Sequence, residues 1–248
     1  MLNIIIPMAG EGTRFINKGF SKPKPFIDVN GKPMIQLVID NLKIKTDHRF
    51  IFIFQKKHND VYNFKDFLKN YLPNCETVEI DGLTKGPAMT VLCAADYIND
   101  DDDLLIANSD QFVDIDFNDF INSARSKNLD GLIMTFLCDK NPKWSFVKLN
   151  EQDLVIETAE KNPISDMATV GIYYFKKGGV FIDAITQMVL NKEEVNGEFY
   201  VCPVYNYLIK NNLKVGHYVL KDDQMHGLGT PEDLEKYLNK IKSENNKS

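Results

Sequence analysis

The chain has 248 residues, 44% of them hydrophobic, and a net charge of −6 that gives an isoelectric point of about 5.3. This length allows one large domain or two small ones with a sizeable core, and the acidic balance disfavours binding to nucleic acid or to an anionic membrane. No window of 18 apolar residues and no basic leader occurs, so we expect a cytoplasmic protein without a membrane span.

The first half of the chain alternates short apolar runs with helical patterns. Strands are predicted over residues 2–6, 50–54, 78–80 and 104–107, and helices over residues 34–42, 61–71 and 88–98. This order predicts an α/β fold, with a Rossmann-like, mostly parallel sheet that has helices on both faces. In such sheets ligands bind at the carboxyl ends of the strands, so the segments that follow the strands are the first candidates for a site.

The second half of the chain mixes strands with longer helices. The predicted strands cover residues 132–137, 170–175 and 215–220 and a hairpin of 146–149 with 154–157, and the predicted helices cover 116–127, 181–190, 198–210 and 231–241. We therefore expect a small β insertion on the substrate side of a single domain over residues 1–242. A frayed polar tail is expected over residues 243–248.

The cysteines and histidines lack the spacing of common metal sites. The cysteines form no CxxC pair and have apolar neighbours, so we expect reduced core thiols rather than a zinc site or disulfides at Cys75, Cys93, Cys138 and Cys202. No HxxxH pair occurs, which argues against a histidine-based metal site. The acidic run over residues 100–103 is expected to be a solvated loop.

The strongest functional pattern follows the first predicted strand. Gly10 and Gly12, spaced by one residue, allow a sharp turn whose N–H groups form a concave anion site, and Arg14 adds a fixed positive charge. Lys22, Lys24 and Lys32 follow within the same segment. The third glycine of the dinucleotide fingerprint and the GK[ST] of a Walker A loop are missing. The segment predicts a polyphosphate site, although a simple tight turn also fits the two glycines alone.

Two further stretches follow predicted strands at the same edge. Residues 81–88 precede a helix N-terminus, where N–H groups are free, although an ordinary loop also fits them. Asp110 follows a buried strand, and a carboxylate there suits Mg²⁺, which takes one or two carboxylates plus substrate phosphates. A turn or capping role is the alternative for Asp110. Asp114-Ile115-Asp116 matches the DxD metal motif of many glycosyltransferases, but we interpret Asp116 as the N-cap of the next helix.

A fourth stretch, Glu160-Lys161-Asn162-Pro163, combines a carboxylate with a lysine. A carboxylate accepts hydrogen bonds from hydroxyls, and a lysine is a suitable point charge for a phosphate monoester. A plain surface ion pair is the alternative. Trp144 fits the wall of a pocket and the hydrophobic core equally well.

The sequence GEGTRF, followed by PKPFIDVNGKPMI, resembles the signature of the sugar-phosphate nucleotidylyltransferases, also called nucleotide-sugar pyrophosphorylases. The MAG opening and the SKPKPFIDV segment look like a branch found among capsule and lipopolysaccharide enzymes. The similarity continues to about residue 234. It implies Mg²⁺-dependent transfer of a nucleotidyl group from a nucleoside triphosphate to a phosphorylated sugar or polyol, for a surface polysaccharide. It leaves the base open, with a weak preference for CTP, and leaves a homo-oligomer open.

The resemblance also implies roles for individual residues. Nucleotide contacts are implied for Met8, Ala9, Gly10, Glu11, Gly12, Thr13, Arg14, Lys24, Gly82, Lys85, Gly86 and Ser109. Acceptor contacts are implied for Trp144, Glu160, Lys161, Thr169 and Gly171. The residues implied in catalysis are Arg14, Lys24, Asp110 and Lys161, and Asp110 is the implied metal ligand.

One departure from the family pattern affects the metal site. The family commonly has an aspartate just before Thr-Gly-Thr, where this chain has Gly227. A second carboxylate would come from Asp222 or Asp223, or the metal would rest on Asp110 and phosphates alone. His226 could contact the substrate or simply pack. Two alternatives therefore stay open: a GT-A-type glycosyltransferase that uses Asp114 and Asp116, and a non-catalytic nucleotide-binding protein.

Overall fold

The computed structural model describes residues 1–245 of the chain. Its strands are β1 (Leu2–Pro7), β2 (Asp28–Val29), β3 (Lys32–Pro33), β4 (His48–Gln55), β5 (Glu76–Ile80), β6 (Asp103–Ala107), β7 (Gln111–Val113), β8 (Gly131–Leu137), β9 (Ser145–Leu149), β10 (Val155–Glu160), β11 (Met167–Phe175), β12 (Val215–Val219) and β13 (Met225–Gly227). Its helices are α1 (Thr13–Ile16), α2 (Met34–Asn41), α3 (Lys56–Tyr62), α4 (Phe64–Tyr71), α5 (Pro87–Leu92), α6 (Ala95–Ile98), α7 (Phe117–Ser126), α8 (Gly178–Leu190), α9 (Val201–Lys210) and α10 (Pro231–Asn245), with a 3₁₀ turn at Lys24–Phe26.

A nine-stranded sheet forms the centre of the molecule, in the order β10-β9-β11-β6-β1-β4-β5, with β8 paired to β11 and to β12. β1 pairs in parallel with β4 and β6, and β4 pairs in parallel with β5. β11 runs antiparallel to β6 and to β8, and the predicted hairpin is β9 with β10. The expected α/β fold with a parallel core and an added antiparallel part is confirmed.

The strand sequences explain why helices cover both faces. Residues 50, 52 and 54 of β4 are phenylalanines buried in one hydrophobic cluster, whereas Ile51 and Ile53 are buried in another. Successive side chains of a strand point to opposite faces, so a strand that is apolar throughout requires a cover on each side. Ile4 and Ile5 of β1 divide between the two clusters in the same way.

A third hydrophobic cluster joins the predicted polyphosphate segment to the end of the chain. Phe15 of α1 and Met34 of α2 pack with Leu228, Leu234 and Tyr237. Lys18 and Glu232 form an ion pair at 3.2 Å across the same junction. The C-terminal helix α10 therefore supports the segment that follows β1.

Two predicted helices are each divided in the structure. Residues 61–71 belong to α3 and α4, separated by Asn63 in the left-handed region with φ 51°. Val61, the first residue of the predicted helix, is 68% exposed. Residues 88–98 belong to α5 and α6, separated by Cys93 and Ala94.

Smaller corrections concern helix ends and cysteines. The helix predicted from residue 198 begins at Val201, because Tyr200 is extended. α10 runs to Asn245, so the predicted tail is helical over residues 243–245, and residues 246–248 lie outside the described part. All four cysteines are free, but Cys93 is exposed and Cys138 half-buried, so these two are not core thiols. No helix within residues 1–245 is both long and apolar enough to cross a bilayer.

Candidate active site

Two neighbouring cavities open at the carboxyl ends of β1 and β6. The loop-side cavity, of about 260 Å³, lies between the loop after β1 and residues 83–87. The sheet-side cavity, of about 470 Å³, lies over β10, β11 and the ribbon of β7 with β13. Asn108 and Asp110 line both cavities. The short segment after β6 is thus the boundary at which contents of the two cavities would meet.

Half of the residues expected to contact nucleotide line the loop-side cavity: Met8, Ala9, Gly10, Lys24, Gly86 and Ser109. Gly12 adopts φ 68° at the start of α1, a conformation that favours glycine. Thr13 is exposed and follows Gly12. Arg14 lines the sheet-side cavity instead. Gly82 lies in the loop between β5 and α5 and has φ 131°. Lys85 lies in the same loop and places its Nζ 3.3 Å from Glu194.

The end of β4 supports the loop after β1 through hydrogen bonds. Nε2 of Gln55 donates to the carbonyl oxygen of Ala9 at 2.6 Å and to Oε1 of Glu11 at 3.1 Å. Lys57 forms an ion pair with Glu11 at 2.6 Å. The hydrogen bonds from Lys57 and Gln55 lower the pKa of Glu11, so this carboxylate is occupied in shaping the loop.

Lys24 and Asp110 form the charged centre between the cavities. Nζ of Lys24 donates to Oδ2 of Asp110 at 2.7 Å, and both side chains are about one-quarter exposed. Leu228 donates its backbone N–H to the carbonyl oxygen of Asp110 at 2.8 Å. A Cβ at Gly229 would lie 2.7 Å from Oδ2 of Asp110, so the absence of a side chain at Gly229 leaves space for the carboxylate.

The oxygen donors near this centre fit Mg²⁺ with phosphates as further ligands. No group of three His, Cys, Asp or Glu residues able to hold a metal occurs within residues 1–245, but one carboxylate plus substrate phosphates is a usual Mg²⁺ set. Asp222 and Asp223 are exposed, and neither lines the two cavities. Asp233 lines the sheet-side cavity instead, and its Oδ2 lies 3.8 Å from the place of a Cβ on Gly227.

A buried carboxylate lies on β10 in the sheet-side cavity. Glu160 is 9% exposed and accepts a hydrogen bond from Oγ of Ser145. Burial raises the pKa of Glu160, although the Ser145 hydrogen bond and Lys161 act in the opposite direction. Lys161 adopts φ 54° and places its Nζ 4.5 Å from the ring centre of Tyr200, to whose hydroxyl it donates.

The wall formed by β11 contains an irregularity. The pairing of β11 with β8 shifts register between Thr169 and Tyr173, and Gly171 within this shift has φ 92°. A Cβ at Gly171 would come within 2.1 Å of Nδ2 of Asn108, so glycine leaves the space that the amide fills. The hydroxyls of Thr169 and Tyr173 share a hydrogen bond of 2.9 Å.

The structure answers two open questions from the sequence. Trp144 lines the sheet-side cavity, with Nζ of Lys143 4.6 Å from its ring centre. Asp116 caps α7, because its side chain accepts from the backbone N–H of Asn118. The predicted capping role of Asp116 is confirmed, and neither Asp114 nor Asp116 lines the two cavities.

Several cavity residues had no individual role predicted from the sequence, namely Asn108, Gln111, Tyr173, Tyr200 and Asp233. Asn108 and Gln111 flank Asp110, so adjacency to a predicted ligand is the one signal that was available. Asp233 lies on α10 beside Gly227, which lies opposite Gln111 in the ribbon of β7 with β13. Strands this short leave no periodic pattern.

Comparisons with known proteins agree with this architecture. The profile of the family described as Nucleotidyl transferase matches residues 3–244. Over 179 residues the chain is 31% identical to the bifunctional protein GlmU of Methanocaldococcus jannaschii, across 71% of this chain and 40% of that protein. The matched part of the chain thus spans less than half the length of this curated relative.

Two solved structures are similar over nearly the whole chain. The nucleoside-diphosphate-sugar pyrophosphorylase from Vibrio cholerae RC9 superposes with a TM-score of 0.81 and 26% identity, over 95% of this chain and 99% of that chain. A UDP-glucose pyrophosphorylase complexed with UDP-glucose superposes with a TM-score of 0.79 and 16% identity, over 98% of this chain and 99% of that one. The second likeness shows the fold alone.

Proposed function

Because this chain belongs to the nucleotidyl transferase family, we propose that it joins a nucleoside triphosphate to a phosphorylated sugar or polyol and releases pyrophosphate. The observation that carries the proposal is the placement of Asp110 and Lys24 between two cavities of different character. The loop-side cavity offers backbone N–H groups and a lysine, and the sheet-side cavity offers hydroxyls, amides and carboxylates together with Arg14 and Lys143. A triphosphate suits the loop-side cavity, and a hydroxylated phosphate ester suits the sheet-side cavity.

The reaction needs no covalent enzyme intermediate. An oxygen of the acceptor phosphate forms a bond to the α-phosphorus, the bond from that phosphorus to the bridging oxygen breaks, and pyrophosphate leaves with the electron pair. The acceptor phosphate is already anionic, so no general base is required. The protein must hold two anions in line and neutralise the charge that moves to the leaving group.

Four residues carry these tasks in the proposal. Arg14 and Lys24 bind the triphosphate and the leaving pyrophosphate, and Lys161 binds the acceptor phosphate. Asp110 would hold Mg²⁺ together with phosphate oxygens, and the metal would supply further positive charge at the triphosphate. The remaining contacts orient the sugar or polyol, with Glu160 accepting from its hydroxyls.

The finer parts of the proposal concern the base and the pathway. We name CTP as the first triphosphate to test, because Gly227 departs from the usual sugar-1-phosphate pattern. The likeness of residues 8–10 and 21–29 to capsule and lipopolysaccharide enzymes supports a product used for surface polysaccharide. Exclusion of Asp114 and Asp116 from both cavities supports nucleotidyl transfer over the glycosyltransferase alternative.

The experiment that tests the proposal measures pyrophosphate release with Mg²⁺. CTP, GTP, UTP, ATP and dTTP are each combined with a panel of phosphorylated sugars and polyols. Release with one triphosphate and one acceptor supports the proposal and identifies both substrates. Consumption of a nucleotide-sugar without pyrophosphate release would instead support a glycosyltransferase, and nucleotide binding without turnover would support a binding protein.

A further inference from the structure

Gln111, the residue after Asp110, has a buried side-chain donor that the protein does not use. Gln111 is 5% exposed and lines the sheet-side cavity. Its Nε2 has no hydrogen-bond partner among residues 1–245. A buried amide donor without an acceptor destabilises the folded protein, and a ligand in this cavity would supply the missing acceptor.

Of the two glycines near this amide, Gly227 leaves open space, whereas the space left by Gly171 is filled by Asn108. Gly227 lies opposite Gln111 in the ribbon of β7 with β13, and Gly171 lies on β11. A Cβ at Gly171 would be 3.2 Å from Oε1 of Gln111, and a Cβ at Gly227 would meet no atom closer than Cγ of Asp233 at 3.7 Å. On its one paired strand within residues 1–245, Gln111 therefore lies opposite a residue without a side chain.

The carboxylates of the same cavity already have donors. Asp110 accepts from Lys24 at 2.7 Å, Glu160 accepts from Ser145, and Asp233 accepts from Oγ1 of Thr230 at 2.8 Å. Each carboxylate keeps further lone pairs that can accept. The cavity thus combines an amide donor that lacks an acceptor with carboxylates that can accept further hydrogen bonds. A hydroxyl group both donates and accepts, so it matches this combination.

We infer that Gln111 is a specificity-determining residue for the phosphate acceptor. Its amide donates to a hydroxyl oxygen of the sugar or polyol, and the space above Gly227 receives the carbon that carries this hydroxyl. The inference rests on the proposed function. Because Gln111 is the next residue to Asp110, this contact fixes the orientation of the acceptor relative to the reacting phosphates.

Gln111→Leu tests the inference, because leucine keeps the approximate volume and removes the amide. The KM for the acceptor found active in the panel should rise about tenfold or more, while the KM for the triphosphate stays within about twofold. The melting temperature should stay the same or rise, because an unpaired buried donor is replaced by an apolar group. Gln187→Leu, at an exposed position on α8, is the matched control and should change neither KM.

Gly227→Ala supplies a second variant that does not alter the amide. An added methyl group meets only ordinary contacts, so the fold should be kept while the acceptor KM rises several-fold and the triphosphate KM does not. An unchanged acceptor KM in Gln111→Leu would overturn the inference and leave the proposed function standing. A rise in both KM values with a lower melting temperature would assign Gln111 a structural role. Absence of turnover by the wild-type protein across the panel would overturn both proposals.

Discussion

The loop-side and sheet-side cavities are built from different kinds of structure. The loop-side cavity is formed by segments that directly follow parallel strands, and its cation, Lys24, lies in a short 3₁₀ turn. The sheet-side cavity is formed by antiparallel strands, a register shift in β11 and the ribbon of β7 with β13. The first offers Lys24 and N–H groups, and the second offers hydroxyls, amides and carboxylates beside Arg14 and Lys143. The two cavities therefore differ in the kind of structure that forms them, and Asp110 lies between them.

The largest effect is expected at the charged centre that Lys24 and Asp110 form between the two cavities. Lys24→Ala should lower kcat for pyrophosphate release about 10²-fold or more, because the reacting phosphates lose one charge-stabilising group. Lys22→Ala removes an exposed positive charge from the same segment and should change kcat less than about threefold. A nearly normal kcat in Lys24→Ala would show that Lys24 takes no part in the reaction.

Gly171→Ala tests whether the irregular β11 wall is required. The substitution places a Cβ 2.1 Å from Nδ2 of Asn108 at φ 92°, a conformation that costs a non-glycine residue about 1–3 kcal/mol. The melting temperature should fall by roughly 2–12 °C, and the acceptor KM should rise. Gly10→Ala is the control for stability, since a Cβ there meets nothing within 4 Å. Equal melting temperatures for Gly171→Ala and wild type would contradict the assigned role of the glycine.

Gln55→Leu should act on the loop-side cavity alone. It leaves the carbonyl oxygen of Ala9 without its side-chain donor and leaves Glu11 with Lys57 alone, which loosens the loop after β1. The triphosphate KM should rise about tenfold, the scale for a lost buried hydrogen bond, and the acceptor KM should stay the same. Steady-state kinetics with each substrate varied in turn would show this, and an equal rise in both KM values would disprove the separation of the cavities.

Glu160→Gln gives a smaller, pH-dependent effect on the sheet side. Burial raises the pKa of Glu160 in the folded protein, so folding favours its protonated form. The stability that the protonated carboxyl group contributes is therefore lost as the pH rises from the pKa of about 4.3 in the unfolded chain through the raised pKa in the folded protein. The melting temperature of the variant, relative to wild type, should increase between pH 4 and pH 7. A difference that is independent of pH would show that the carboxyl group titrates normally.

Lys85→Ala is expected to have the smallest effect. The Lys85 side chain is 70% exposed and pairs with Glu194 at 3.3 Å, and exposed pairs contribute about 0–1 kcal/mol. The triphosphate KM should change less than about threefold, measured beside Lys24→Ala. A change as large as that of Lys24→Ala would place Lys85 on the triphosphate during turnover.

The contrast between the cavities also explains what could be predicted from the sequence. The strand order and the placement of Gly10, Lys24 and Asp110 follow from local patterns, because each residue directly follows a buried strand or lies in a proline-bounded turn. The break at Asn63 was missed because apolar spacing continues through it, although the backbone adopts a left-handed conformation there.

The sheet-side contacts depend on pairings distant in sequence. Gln111 meets Gly227 only because two three-residue strands pair, and Asn108 fills a space that exists only because β11 shifts register at Gly171. Neither relation leaves a pattern within one stretch of chain. The acceptor side could therefore be outlined from Glu160 and Trp144 but not completed.

The ion pair between Lys24 and Asp110 has a further consequence for the ligand-free protein. Each of the two groups serves as the counter-ion of the other at 2.7 Å, so neither is fully hydrated before a ligand arrives. Part of the dehydration that normally opposes ionic binding has already taken place during folding. Binding then exchanges the ionic partner of each group for another. The affinity of this centre should for that reason depend less on ionic strength than a free exposed lysine would suggest.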